Sequence, residues 1–250
     1  MAERLGVPKP NSIELPDCEP IPILYEDRSV ICVDKPRGWM LVPHSWQKTN
    51  RNLQAAITSS IAARDFWARS RNLKFLRHVH RLDADTTGIL LFAKSPGAVE
   101  TFSDLFEGRK MEKTYLAIVT DHGRNPPKGG HAAGWTCRSK LAPDPKQPGR
   151  MKVDPLNGKE SETNFKVLET SGKFILVEAK PVTGRTHQIR VHLLDSGLPI
   201  VGDDLYGKRE GNRPLGLRAI KLGYIDPFTK RRVEISAPAA EFLGAFGFGR

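Results

Sequence analysis

The stretch from His78 to Ser95 (His-Val-His-Arg-Leu-Asp-Ala-Asp-Thr-Thr-Gly-Ile-Leu-Leu-Phe-Ala-Lys-Ser) constrains the fold of this 250-residue chain more than any other. Its first half is crowded with charges and hydroxyls: Arg81, Asp83, Asp85, Thr86 and Thr87. Its second half, Ile89 to Ala93, is a short apolar run bounded by Gly88 and by Ser95-Pro96. The pattern reads as a buried strand with a polar loop just before it. Polar groups on a loop pinned by a rigid strand commonly form active sites, but a plain solvated loop has the same spacing. Spacing alone leaves both open.

Elsewhere the signals favour strands and hairpins. Ile21 to Tyr25 and Ser29 to Val33 read as strands around the turn Glu26-Asp27-Arg28, and Pro36 with Gly38 stops the second. Leu53, Ile57 and Ile61 recur every fourth residue and predict a helix over 52–64, with Thr49 or Asn50 available to cap it. Ser95-Pro96 opens a second helix whose buried face is Val99, Phe102, Leu105 and Phe106. Thr114 to Thr120 is a strand, and Thr163 to Glu169 with Phe174 to Lys180 form a hairpin about Ser171-Gly172. Thr186 can cap a third helix, with Ile189 and Leu193 inward and Gly197 at its end. Leu217 to Tyr224 suit either a strand or loop anchors. No regular βαβ alternation is present, which places the chain in the α+β class. Residues 1–20 read as a flexible arm, 21–240 as one domain and 241–250 as a tail. Within 121–160, twelve of forty residues are Gly or Pro, so this segment is expected to be a basic, loop-rich arm.

Charge narrows the partner. The formal net charge is +11, which suits a polyanion, nucleic acid before an anionic membrane surface. No apolar run reaches the length of a membrane span. Between Arg64 and Arg81, the basic residues Arg69, Arg71 and Lys74 interleave with Phe66, Trp67 and Phe75, a mixture suited to phosphate contact and base stacking. At least one of Phe66 and Trp67 is expected to serve the core instead. Three scattered cysteines, Cys18, Cys32 and Cys137, form no metal or disulfide framework and fit a reducing cytoplasm.

Several chemistries lack their signatures. The pairs His78/His80 and His187/His192 are two and five residues apart, neither matching the helical spacing of a zinc site. Nucleophile-elbow, Walker and Rossmann patterns are absent. What remains is Asp83 or Asp85 in basic surroundings. An Arg partner would keep such a carboxylate ionised and oriented, as a nucleophile, a base or one half of a structural bridge.

The run His80-Arg81-Leu82-Asp83-Ala84-Asp85-Thr86-Thr87-Gly88 resembles the signature of the RluA-type pseudouridine synthases. So does Thr183-Gly184-Arg185-Thr186-His187-Gln188-Ile189-Arg190-Val191-His192. Asp34-Lys35-Pro36, Lys113-Thr114-Tyr115 and Gly202-Asp203-Asp204-Leu205-Tyr206-Gly207 match in the family's order. Thr87 replaces a usual Ser, and Arg218 stands where His is common. The resemblance implies a pseudouridine synthase fold: a mixed, mainly antiparallel central sheet with flanking helices and loops, and an active cleft across its middle. It implies an RNA-modifying isomerase acting on rRNA or tRNA, without cofactor or metal and as a monomer. Asp83 would be the nucleophile, Tyr115 the active-site tyrosine, and Arg185 the partner of the aspartate. Arg81 would fill the place vacated by a flipped base, and Ile189 and Leu222 would wall the pocket. Many relatives carry an N-terminal S4 RNA-binding domain, for which twenty preceding residues are too few. The rival classes are an RNA-binding module that has lost catalysis and a metal-dependent nuclease.

Overall fold

The computed structural model describes residues 9–16, 18–41, 51–121, 134–207 and 213–249, in two compact units divided after Glu107. The first unit contains β1 (Ser12–Ile13), β2 (Ile21–Glu26), β3 (Val30–Lys35), α1 (Leu53–Ala62), α2 (Phe66–Arg69), β4 (Arg77–His78), β5 (Thr87–Ala93) and α3 (Pro96–Glu107). Its strands lie in the order β1-β2-β3-β5, with β4 also on β5, and every one of these pairs is antiparallel. The apolar runs of β3 and β5 explain the order. Val30 to Val33 and Ile89 to Ala93 are buried on both faces, so these are the inner strands. The helix α1 buries Leu53 and Ile57, and its cap is Asn52, whose side chain accepts from Ala55 N. The candidates Thr49 and Asn50 lie outside the described residues. Of the aromatic pair, Trp67 goes to the core with its indole on Ser60 Oγ (2.8 Å), while Phe66 stays exposed. Ser95 Oγ caps α3 through Ala98 N (3.2 Å), and Ala98 and Phe102 carry its burial. Val99, Leu105 and Phe106 are only half-buried.

The second unit contains β6 (Glu112–Thr120), β7 (Trp135–Pro143), β8 (Met151–Val153), β9 (Lys159–Ser171), β10 (Phe174–Pro181), α4 (Gln188–Asp195), β11 (Leu217–Ile225), β12 (Arg232–Ser236) and α5 (Ala240–Gly244). Its antiparallel order is β12-β11-β6-β10-β9-β7-β8. Each unit is a sheet with few helices, as the α+β reading expected. No helix among the described residues is long and apolar enough to cross a membrane.

Three segments differ from the sequence reading. The loop-rich arm is, from Trp135 on, the strands β7 and β8 and the start of β9, and residues 122–133 lie outside the described ones. The N-terminal arm is anchored from Asn11 onward: β1 pairs with β2, and Ile13 and Leu15 are buried. The C-terminal tail is also packed, because Phe246 and Phe248 enter a cluster with Leu116, Ile118, Phe174 and Leu176. In each case a few apolar side chains outweigh a Gly- or Pro-rich context.

Candidate active site

Asp83 sits half-buried on the loop that feeds β5, between the anchors Leu82 and Thr86, both buried. The backbone there is held from the end of β3. Lys35, fully buried, donates from Nζ to the carbonyls of Pro36 (3.1 Å), Ala84 (2.7 Å) and Thr86 (2.9 Å). Gly38 N adds a second bond to the Ala84 carbonyl (2.8 Å), and Thr86 N closes a turn on the Asp83 carbonyl (3.2 Å). Burial pulls the Lys35 amine down to about 8, opposed by the charges of Asp83 and Asp85. The two carboxylates are therefore not equivalent. Asp85 is exposed and meets Arg37 Nε at 3.1 Å, while Asp83 lies further in. Arg81 points to solvent from the same loop. His80 locks the loop to the strand: Leu91 N donates to its Nε2 (3.0 Å) and its ring stacks on Phe106 at 4.4 Å.

Tyr115, Arg185, Ile189 and Leu222 belong to the second unit. Tyr115 and Ile189 share one apolar cluster with Ala117, Ala179 and Leu217. Leu222 lies opposite Lys113 in the β6–β11 ladder, and Ala219 lies opposite Tyr115. Directly opposed residues project to the same face of a sheet, so Lys113, Tyr115 and Leu222 share one face. Lys113 donates to the Thr183 carbonyl (3.2 Å), and burial draws its amine down to about 8. Arg185 follows two residues later on the same loop. Its main-chain N donates to Gln188 Oε1 (2.9 Å) and its Nε to the Glu160 carbonyl (3.1 Å).

The rest of that motif is framework. Gln188 also receives Thr183 Oγ1 (2.6 Å) and donates to the Glu162 carbonyl and Thr163 Oγ1 (both 2.9 Å). His192, fully buried, lies between Ser161 Oγ (2.8 Å) and Thr163 Oγ1 (3.0 Å), and burial lowers its pKa to about 4. Arg190 grips buried Asp203 through two bonds, 2.8 and 2.6 Å, and Asp203 also accepts from Leu205 N and Tyr206 N. Gly202 is required beside it: φ is +70° and a Cβ there would lie 2.2 Å from the Pro214 carbonyl. The histidine pairs thus have hydrogen-bonding duties, His78 with Gln54 (2.8 Å) and His187 with the Tyr206 hydroxyl (2.9 Å). Arg218 is a packing residue, buried and donating to the Pro238 carbonyl (3.0 Å).

The expected phosphate contacts divide. Arg69 is exposed, its guanidinium 5.9 Å from the Phe66 ring centre, and Lys74 is exposed. Arg71 is corrected to a structural residue. Its side chain is 3% exposed and donates to Glu26 (2.8 Å) and to the carbonyls of Trp67 (3.0 Å) and Pro10 (2.6 Å). Sequence reasoning assigned no role to Lys35 or Lys113. The signal was phase: Lys35 alternates with Ile31 and Val33, and Lys113 with Tyr115 and Ala117, so both amines point where apolar side chains do.

Comparison with known proteins supplies the context for these motifs. Residues 29–195 match the family described as RNA pseudouridylate synthase. The ribosomal large subunit pseudouridine synthase C of Vibrio vulnificus is 37% identical over 231 residues, covering 88% of this chain and 66% of that protein. The protein of that name from Vibrio cholerae is 33% identical over 260 residues, covering 94% of this chain and 75% of its own length. The chain therefore spans about two thirds to three quarters of these relatives. Among solved structures, human RNA pseudouridylate synthase domain containing 1 is similar at a TM-score of 0.67 and 26% identity, over 88% of this chain and 84% of that one.

Proposed function

Because the chain belongs to the RNA pseudouridylate synthase family, we propose that it isomerises specific uridines of RNA to pseudouridine. Asp83 attacks the target uridine and the N-glycosidic bond breaks; the uracil turns and rejoins the ribose through C5 as the bond to Asp83 is released, with C5 losing a proton and N1 taking one up. Tyr115 stacks on the base and assists loss of the C5 proton, and Arg185 orients the carboxylate. Ile189 and Leu222 bound the pocket, and Arg81 occupies the gap left by the flipped nucleotide. The relatives named for the large ribosomal subunit make its rRNA the first substrate to test, with tRNA second.

The observation that carries this reading is the clamp on the Asp83 loop. A nucleophile works from a fixed position, and the buried ammonium of Lys35 fixes the carbonyls of Ala84 and Thr86 beside it.

The decisive experiment compares Asp83→Asn with Asp85→Asn. The first change is nearly isosteric, so the variant should fold and bind RNA yet form no detectable pseudouridine. The second removes only an exposed ion pair with Arg37 and should lose far less. Pseudouridine in an rRNA transcript is quantified after incubation with each variant, beside a binding curve. Substantial activity in Asp83→Asn together with none in Asp85→Asn would reverse the assignment.

A further inference from the structure

A cavity of about 830 Å³ opens in the first unit, lined by the β2–β3 turn, by residues 71–75 and by Lys94. Lys94 follows β5 directly, whereas the Asp83 loop precedes it. The strand has seven residues. At about 3.3 Å each, the cavity lies roughly 20 Å along the sheet from that loop.

The floor of the cavity is a neutralised lattice. Glu26 accepts from Arg71 Nε (2.8 Å) and from Lys94 Nζ (2.7 Å). Asp27 uses Oδ1 on the N–H groups of Ser29 (2.7 Å) and Val30 (2.8 Å), and Oδ2 on the Tyr25 hydroxyl (3.0 Å). Both carboxylates are therefore committed inward. Arg28, Lys74 and Lys9 stand exposed around them, and none has an ion pair or hydrogen bond among the described residues. Five cationic side chains against two carboxylates leave a surplus of three positive charges on one concave surface. Like charges gathered in this way repel one another until an anion arrives, and they focus positive potential on the space between them.

We propose that this cavity is a distal phosphate site for RNA, holding the strand away from the uridine that Asp83 attacks; it rests on the uridine-isomerising reading above. Three features select a nucleic acid over a small anion. The cationic rim is exposed, without the enclosed apolar walls that bury a small ligand. Half-buried Phe75 gives the cavity an aromatic face beside the cations, suited to a base next to its phosphate. Exposed Arg69, in the helix just before this segment, adds positive charge nearby in the chain. Arg71 holds the floor, bonded to Glu26 and to the Pro10 carbonyl next to Lys9, and at 3% exposure it does not meet the ligand itself.

The test is RNA binding by the double variant Arg28→Gln/Lys74→Gln across a salt series. Loss of two phosphate contacts should weaken binding to single-stranded RNA about tenfold at moderate salt and reduce the slope of log K against log salt by about 1.4. The charge-conserving pair Arg28→Lys/Lys74→Arg should bind as the wild type does. Unchanged affinity and slope in the neutral pair would overturn the proposal, as would an equal loss in the charge-conserving pair. Inorganic tripolyphosphate is titrated in parallel. Saturable binding of that probe, lost in the neutral pair while the RNA slope stays unchanged, would reassign the cavity to a small anion and also overturn it. Failure of the isomerisation reading would be seen elsewhere, as absence of pseudouridine from wild-type reactions, which these binding curves do not measure.

Discussion

Lys35 makes the polar loop a platform for Asp83. Only the ammonium form offers three donors, one for each of the carbonyls of Pro36, Ala84 and Thr86. Burial holds its pKa near 8, below the ordinary lysine value of 10.5. Two effects of opposite sign follow. Turnover should fall as pH rises through about 8, because a neutral amine releases one carbonyl and the loop loosens. Stability should move the other way. Between about 8 and 10.5 the unfolded chain binds the proton more tightly than the folded one, so this group's contribution to stability rises with pH. Turnover and urea midpoint measured on one pH series check both, and a parallel decline of the two would assign the alkaline limb to another group. Arg185 provides a second test at this scale. Its backbone is fixed by Gln188 and its Nε by the Glu160 carbonyl, so Arg185→Lys should leave the fold intact. Loss of the planar fork should lower turnover on the order of a hundredfold, the cost of a misplaced reacting group. Near-normal turnover would remove Arg185 from the proposed mechanism. The catalytic candidates were legible because they sit in motifs. Lys35 sits in one too, Asp34-Lys35-Pro36, but its role was not legible, because a lysine in phase with a buried strand looks like that strand's end.

Helix α4 shows how far local patterns reach. Its C-terminus was readable: Gly197 (φ +77°) closes it with Leu198 N on the Leu193 carbonyl (2.9 Å) and Gly197 N on the Leu194 carbonyl (3.0 Å). Its start was not. Thr186 gives no cap; His187, in a left-handed conformation at φ 53°, precedes the first turn. The side chain of Gln188 reaches back to Thr183 and Arg185 and across to the Glu162 carbonyl and Thr163, and the last two are long-range contacts that no capping rule encodes. Strands β7 and β8 were hidden for a different reason. Cys137 and Leu141 are buried between more exposed neighbours, but Gly and Pro across 121–160 dilute that alternation. The element makes its own prediction through His192. Its folded pKa, near 4, lies below the unfolded value of 6.5, so the unfolded chain takes up the proton first as pH falls. Stability from this group is present above 6.5 and is lost toward 4, amounting to about 2 kcal/mol between pH 7 and pH 5. Urea unfolding at the two pH values measures it. A His192→Gln variant should be less stable at pH 7 and show a smaller difference; an unchanged difference would place the acid sensitivity elsewhere.

At the scale of the whole chain, the sequence reading erred at the margins, and for one physical reason. It drew boundaries from Pro and Gly density and from distance to the ends, whereas burial is decided by single side chains. Ile13 and Leu15 tie down the N-terminal segment, and Phe246 and Phe248, 4% and 2% exposed, tie down the C-terminal one. The latter pair bears on the candidate site through the pleat of β6. Leu116 and Ile118 face the cluster that receives the two phenylalanines, with Phe246 set edge-on to Phe174 at 6.4 Å. Tyr115 and Ala117 alternate with them and face the other cluster, with Ile189. Packing on one face of the strand therefore supports the position of the tyrosine on the other. Phe248→Ala should cost about 3–5 kcal/mol, the range for a buried phenylalanine whose space cannot fully collapse. The loss should be structural rather than chemical. Pseudouridine formation by the variant should approach the wild-type rate at low temperature, where the folded fraction is high, and fall away at temperatures the wild type tolerates. Urea unfolding and a temperature series of turnover test the two halves of this expectation. An unchanged urea midpoint would make residues 245–249 peripheral, and a rate deficit that persists in fully folded protein would mean that the C-terminal segment acts on Tyr115 directly, beyond holding the sheet together.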